Sequence, residues 1–405
     1  FNAEYVSNPD GILMSQMNEP VGVFDTLKPV FIIKGNKGYL IDFGQNIAGW
    51  IKIKLKGNKR GDTVKLRFAE IIDSSKNLIT ANLRDALATD IYICKGDTIE
   101  VWNPTFVYHG FRFVEITGLK RKPEIDDIEA NVVADKLNIT GSFETSNELI
   151  NKIYHNAFWS ILSNYKGIPV DCPQRNERQP WLGDRAMVSI GENYIFDNNK
   201  FYVKWLDDIM FSQNYYGSIP DVAPAFWRCY TDNITWPATY FIILDMFYTR
   251  YQDEQLIKKH YPYLRKWVDY MIDNYMVDYI MTRDKYGDWC LPPLNRKEIH
   301  TKDSTRITDG KLIATAYFYY ILQIMKKFAS ITKNNHDKNR FINLSLKIKN
   351  AFNNYFYNSN KGYYSNNSTT ANLLPLALKM VPENETRKVY NNLIYNIEKI
   401  NNCQI

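Results

Sequence analysis

The spacing of apolar residues changes once along this chain, and that change fixes the fold class before any motif is considered. In "WIKIKLKG", Ile51, Ile53 and Leu55 alternate with Lys52, Lys54 and Lys56, and in "DTVKLRFAEI", Val64, Leu66 and Phe68 alternate with Lys65 and Arg67. A period of two puts every apolar side chain on one face of an extended strand. The segments "GYLIDFG", "TDIYICKG" and "EVWNPTFVYHGFRFVEITG", set off by the turn signals "KGN", "KGD" and "HGF", carry strands from about Val30 to Leu119. The economical reading is an antiparallel β-sandwich of about 90–110 residues.

Beyond "KRKPEIDDIEA" the period becomes helical. In "ETSNELINKIYHNAFWSILSNY", Thr145 and Glu148 make a capping-box signature, and Leu149, Ile153, Ala157 and Ile161 recur at helical spacing. Six further segments read as helices, from "NKFYVKWLDDIMFSQN" to "ETRKVYNNLIYNIEKI", and long connections rich in Trp, Pro and Asp separate several of them. Helix pairs with short connections at one end and long ones at the other close into a barrel of helices, with a site on the long-loop rim. The chain's 405 residues exceed one ordinary core. The expected organisation is an N-terminal remnant or linker at 1–29, a β-sandwich domain at 30–135 and a helical barrel at 136–405.

Composition excludes several functions. The formal charge of +6 is spread over scattered lysines with no basic block, which gives no nucleic-acid footprint. Five cysteines without a CxxC spacing support neither a disulfide framework nor a zinc site. No apolar run reaches the roughly 18 residues of a membrane span, and no signal peptide is evident. The histidines are not paired at i, i+4, and no phosphate-binding glycine motif or GxSxG elbow occurs. His109 in "YHGF" reads as a structural strand residue.

Chemistry concentrates in "DCPQRNERQPWLGD", Asp171 to Asp184. Pro173 and Pro180 forbid a continuous helix, so the polar side chains sit on a constrained loop. Two later connections also combine carboxylates with tryptophans: one holds Asp221, Trp227, Asp232 and Trp236, the other Asp284, Asp288 and Trp289. Rings that cover an apolar sugar face, beside acids that accept its hydroxyls, point to carbohydrate binding or cleavage. Cleavage by inversion needs a carboxylic acid and a carboxylate roughly 6.5–9.5 Å apart. Arg175 and Arg178 favour ionised Glu177, whereas Asp171, Asp184 and burial under Trp181 favour its proton. The expectation is that the carboxylates prevail and the arginines point outward or to the ligand.

"DCPQRNERQPWLGDRA" resembles the "DCPQRDERxGWTGDA" signature of bacterial α-L-rhamnosidases of glycoside hydrolase family 78. "DFGQNIAGWIKIKLKG", "LRFAEIID", "TANLRDALATDIYICKG" and "FVYHGFRFVEITG" look like the β-sandwich that precedes the catalytic barrel in that family. The resemblance implies an (α/α)6 barrel that releases terminal α-L-rhamnose with inversion and needs no cofactor or metal. Its implied partner is a rhamnose-containing glycoside or polysaccharide, with no nucleic acid and no membrane span, and with a homo-oligomer left open. A periplasmic or extracellular location is favoured over a cytoplasmic one. By position, Glu177 matches the general acid, Asp171 and Asp184 the carboxylates that hold rhamnose hydroxyls, and Trp181 the pocket wall. Arg175 and Arg178 match the signature's arginines, while Trp236 and Trp289 look like the family's aromatic walls, with Trp289 toward the 6-methyl group.

The chain departs from that pattern at Asn176, Pro180 and Leu182, which replace Asp, Gly and Thr. The roughly 265 residues after Gly141 offer about eight or nine helices, fewer than the full barrel, and no glutamate in them matches the family's base. The barrel is therefore expected to be incomplete, with the base beyond residue 405, and the fragment alone is expected to be poorly soluble and inactive. The alternatives are a non-catalytic carbohydrate-binding protein and a polysaccharide lyase, the latter weakened by the lack of a placed Tyr/His pair.

Overall fold

A computed structural model describes residues 3–7, 11–35, 37–186, 188–291, 293, 301, 306–401 and 403. The chain divides into two compact units. The first comprises Phe1–Ile168, Pro173–Asn176 and Phe196–Lys204, and the second Pro169–Cys172, Glu177–Ile195 and Trp205–Ile405.

The first unit is built on an antiparallel sheet of β1 (Val21–Leu27), β2 (Phe31–Lys34), β3 (Tyr39–Lys56), β4 (Thr63–Ala69), β7 (Thr89–Ile93), β8 (Ile99–Trp102), β9 (His109–Thr117) and β10 (Ile128–Asp135). Between β4 and β7, β5 (Ile71–Ile72) and β6 (Leu78–Ile79) form a small hairpin. The strand order is β1-β10-β3-β9-β4-β7, with β2 and β8 also paired to β3. The long β3 explains how one sheet curls into a domain. Its first part pairs with β2 and β9, its last part with β10 and β8, and its register slips between Asp42 and Ile47. A bulge of this kind sharpens the local twist.

The alternation read from the sequence decides the core. Ile51, Ile53, Leu55, Val64, Leu66 and Phe68 are buried, while Lys52, Lys54 and Lys65 are exposed. Phe111 meets Phe68 at 5.0 Å and Phe43 at 6.0 Å between ring centroids. His109 is buried in the same layer, stacked on Phe68 at 4.2 Å, with Nε2 2.9 Å from Asp90 Oδ1. It is a packing residue of the strand.

Two strands lie outside the stretch read as strands. In β1, "VGVFDTL", Val21 and Val23 face solvent, so no clean period emerges. β10, "IEANVVAD", is buried almost throughout and so lacks alternation. Helix α1 (Glu148–Ser163) also starts differently from the capping-box reading. Asn147 is its cap, its Oδ1 accepting from Leu149 N at 2.9 Å. Thr145 instead accepts from Asn147 N at 3.1 Å, just upstream.

The second unit is helical. It holds α2 (Gly183–Ala186), α3 (Val188–Glu192), the C-terminal part of α4 (Asn199–Ser212), α5 (Ala238–Tyr251), α6 (Glu254–Tyr275), α7 (Gly310–Ile331), α8 (Asn335–Phe356), α9 (Thr369–Ala377) and α10 (Thr386–Tyr395). α5 is buried without a break from Ala238 to Leu244, and α7 from Leu312 to Ala316, so these are interior helices. α6 buries one stripe instead, Leu256, Ile257, His260, Tyr261, Leu264, Trp267, Val268 and Met271, and turns its charged residues outward.

Connections alternate in length as expected for paired helices. α5 passes to α6 through left-handed Gln252 and the cap Asp253, whose Oδ1 accepts from Leu256 N at 2.9 Å. α7 passes to α8 through Thr332–Asn334, where Asn334 caps Asp337 N at 3.0 Å. The opposite connections are long. Two contain small hairpins, β11 (Met276–Val277) with β12 (Ile280–Met281) and β13 (Tyr357–Asn358) with β14 (Tyr363–Tyr364). Among the described residues, no helix is long and apolar enough to cross a membrane.

Candidate active site

The loop from Asp171 to Asp184 is held by its own polar groups. Gln179 N donates to Asp171 Oδ1 at 2.7 Å, and Asp171 N donates to Gln179 O at 2.9 Å, closing the turn that carries Glu177. Arg178 takes a left-handed backbone conformation with φ 53°, a state costly for a residue with a Cβ. The second half is pinned to the next long connection. Leu182 N donates to Asp221 O at 2.8 Å, Ala223 N to Pro180 O at 3.2 Å, and Trp181 bridges Val222. Leu182 and Val222 are buried, so this pairing anchors the loop in the core.

Glu177, Trp181, Asp171 and Asp184 come together on that frame. Trp181 Nε1 donates to Glu177 Oε1 at 2.8 Å. Asp184 opens the first turn of α2 and remains exposed, yet surrounding protein atoms crowd its carboxyl and raise its pKa. The negative charge of Asp171, and to a smaller extent that of Glu177, pushes it the same way against Arg185. Beneath α2, buried Arg185 pairs with buried Glu192 and donates to Val170 O at 3.2 Å, fixing the helix from below.

Trp236 reaches this loop through a glycine. A Cβ on Gly183 would stand 2.3 Å from the Trp236 ring, so the indole lies directly on the α2 backbone. Tyr286 packs on Trp236 with centroids 4.4 Å apart, and Trp289 meets Tyr286 edge-on at 5.6 Å. Trp227 meets Trp181 edge-on at 6.0 Å. A cavity of about 170 Å³ lies beside Trp236, bounded by Gly183, Gly287, Ile313 and Tyr317. Arg178 belongs to the same unit, whereas Arg175 falls in Pro173–Asn176, which groups with the first unit.

The carboxylates of the later connections divide in a way the sequence did not foretell. Asp232 accepts from Ser218 Oγ at 2.5 Å, Tyr270 OH at 3.0 Å and Tyr275 OH at 2.6 Å. Asp284 accepts from the backbone of Ile234, Thr235, Tyr286 and Gly287. Asp288 accepts from Thr308 N and Thr370 Oγ1. These three hold the protein's own loops.

Asp221 is different. It is fully buried, and its Oδ2 accepts from Thr231 Oγ1 at 2.7 Å and Tyr286 OH at 3.2 Å, while Oδ1 meets no donor. Burial, reinforced by Asp284 and Asp232 and opposed by the two hydroxyls, pushes it up to about 6. Tyr286, which ties Asp221 to the ring stack, carried no sequence signal beyond its place two residues after Asp284. Gly183 carried only its position before Asp184.

Two family descriptions match the chain: the bacterial alpha-L-rhamnosidase concanavalin-like domain over residues 33–134, and the bacterial alpha-L-rhamnosidase 6 hairpin glycosidase domain over 138–404. An alpha-L-rhamnosidase of Formosa agariphila is 32% identical, covering 92% of this chain and 40% of its own length. One of Streptomyces avermitilis is 30% identical, covering 95% and 36%. The solved alpha-L-rhamnosidase of Dictyoglumus thermophilum matches with a TM-score of 0.91 at 38% identity, over 96% of this chain and 43% of that one. The Streptomyces avermitilis alpha-L-rhamnosidase complexed with L-rhamnose matches with 0.89 at 28%, over 96% and 36%. The chain thus spans about two-fifths of the length of the curated relatives it matches.

Proposed function

This chain belongs to the bacterial alpha-L-rhamnosidase family, and we propose that it binds the terminal α-L-rhamnose of a glycoside or polysaccharide and takes part in its release with inversion. Glu177 is the general acid in this reading. The supporting observation is the grouping of three carboxylates with a tryptophan: Trp181 donates to Glu177 Oε1, and Asp184 lies close enough to Asp171 and Glu177 for their charges to raise its pKa.

The chemistry follows from that grouping. With Oε1 engaged by an N–H, the proton of Glu177 is carried on Oε2, from which it passes to the leaving glycosidic oxygen as the bond breaks. Asp171 and Asp184 accept sugar hydroxyls in this reading. Trp181, Trp236 and Trp289 supply ring faces for the apolar side of the sugar and its methyl group. Arg178 and Arg175 are assigned to ligand binding on their place in the signature. No residue of this chain is assigned as the base.

Calorimetric titration with L-rhamnose tests the binding site, and the expected result is saturable binding that Trp181→Ala and Asp184→Asn each weaken at least tenfold. Absence of binding to the folded wild-type chain refutes the reading. The acid role is tested with an aryl α-L-rhamnoside. Where this chain, or a longer protein that contains it, releases rhamnose, Glu177→Gln is expected to abolish that release and to retain L-rhamnose affinity, and release by the variant at the wild-type rate overturns the assignment.

A further inference from the structure

Tyr215 and Tyr216 follow the end of α4 and expose 86% and 75% of their surface. Two exposed tyrosines alone signify little, but the loop that displays them is fixed from several sides. Asn214 Oδ1 accepts from the backbone N–H groups of Tyr216, Gly217 and Ser218 at 3.0, 2.9 and 3.0 Å. Gln213 Nε2 donates to Gly217 O at 2.8 Å and to Tyr263 O at 3.0 Å. Gly217 has φ +116°, and a Cβ there would stand 3.0 Å from Lys266 O and from Tyr270 Cβ, so only glycine lets the loop lie this close to α6. The two rings meet edge to face at 5.6 Å, and Lys266 Nζ lies 5.5 Å from the Tyr215 centroid.

Beside this loop runs an open groove of about 640 Å³, lined by Tyr216, Arg265, Lys266, Asp269, Tyr270 and Asp273. Its volume falls within the roughly 300–1,000 Å³ of small-molecule sites. Two cations stand against two carboxylates, which gives no preference for a polyanion or a polycation. Ring faces beside balanced donors and acceptors suit a neutral saccharide, whose apolar faces alternate with hydroxyl rims.

The groove is tied to the connection that carries the site's tryptophans. Ser218 Oγ and Tyr270 OH both donate to Asp232, and Tyr230 OH donates to Ser212 O at 2.7 Å. Asp232 and Tyr230 lie between Trp227 and Trp236 in sequence. The tyrosine loop and α6 are thus bonded to the same connection that carries Trp227 and Trp236.

We propose that this groove is a glycan-binding subsite that holds the saccharide chain continuing beyond the terminal sugar, with Tyr215 and Tyr216 as its stacking platform. The proposal rests on the rhamnose-binding reading of the Glu177 loop. Its test is calorimetric titration of the wild-type chain and the Tyr215→Ala/Tyr216→Ala variant with L-rhamnose and with a neutral L-rhamnan. The variant is expected to lose about tenfold in affinity for the rhamnan, as two stacked rings imply. Its affinity for L-rhamnose and its thermal midpoint should be unchanged, because both side chains are exposed. Wild-type affinity for rhamnan in the variant, or no advantage of rhamnan over L-rhamnose in the wild type, overturns the groove. Failure of L-rhamnose to bind while rhamnan binding still depends on the tyrosines sinks the terminal-sugar reading and retains the groove as a glycan site.

Discussion

Gly183→Ala adds one methyl group at the point where α2 meets Trp236, and its consequence can be worked from the geometry. The new Cβ would lie 2.3 Å from Cδ2 and Cε2 of the indole and 2.6 Å from Cε3. Unstrained carbon contacts begin near 3.5 Å, so the ring must retreat by about 1.2 Å. On one side Tyr286 is packed against it at 4.4 Å and is tethered through its hydroxyl to Asp221. The adjoining cavity of about 170 Å³ offers the other exit. Overpacking of this kind costs about 1–3 kcal/mol, and alanine in place of a helical glycine returns up to about 1 kcal/mol. The net expectation is a loss of about 1–2 kcal/mol, with a thermal midpoint lower by about 2–4 °C for each kcal/mol. A wall displaced by about 1 Å should also weaken L-rhamnose binding about tenfold or more. Thermal unfolding and calorimetric titration read the two effects separately. In a Trp236→Ala background the same alanine should cost nothing, because the clash has gone. Wild-type midpoint and affinity in Gly183→Ala, or an undiminished penalty in the double variant, refutes the contact.

Two buried groups predict opposite pH dependences. Asp221, pushed up to about 6 from 3.8, binds its proton more tightly folded than unfolded, so the stability it contributes is lost as pH rises from about 4 to about 6. Asp221→Asn removes that loss, and chemical denaturation should show the variant gaining on wild type by about 3 kcal/mol between pH 4 and pH 7; a constant difference is the contrary result. His260, buried against Tyr240 OH, is lowered to about 4, so the wild type loses stability as pH falls from about 6.5 to about 4. A His260→Phe variant should therefore lack that acid-side decline, and retention of the full decline would assign it elsewhere. Arg185→Met alone should cost about 3–5 kcal/mol in urea unfolding by leaving Glu192 buried without its guanidinium, while Arg185→Met with Glu192→Met should recover most of the loss. Equal losses in the single and double variants would mean that the ion pair is not the source.

The fold was legible wherever one face of an element is wet and the other dry. β3, β4 and α6 carry that contrast in every turn or pleat, and their periods in the sequence match the faces they bury. Elements without such contrast escaped. β10 is buried on both faces, β1 has little burial to record, and α9 carries Pro375 within its single buried turn. The two small hairpins, β11 with β12 and β13 with β14, are too short for any period to show. The paired helices were readable for another reason. Short and long connections alternate along the chain, and that alternation survives an error of one or two residues at any helix end.

The site was less legible, because an aspartate in a loop reads the same whether it binds a ligand or its own backbone. Asp221, Asp232, Asp284 and Asp288 all stand near tryptophans in sequence, and composition treats them alike. Folding separates them by the donors it brings. Asp232 accepts from three hydroxyls and Asp284 from four backbone N–H groups, which commits both carboxylates to holding the protein's own loops. Asp221 keeps one oxygen without a donor and answers by holding a proton near pH 6. Asp184 lies in a different balance, exposed yet surrounded by protein and by the charges of Asp171 and Glu177. The tryptophans divide in the same manner. Trp205 and Trp267 are fully buried, whereas Trp227 and Trp289 expose 42% and 60% of their surface. What singles out the Asp171–Asp184 loop as the candidate site is therefore a grouping that only the folded chain makes, with Trp181 donating to Glu177 and Asp184 within electrostatic reach of Asp171 and Glu177.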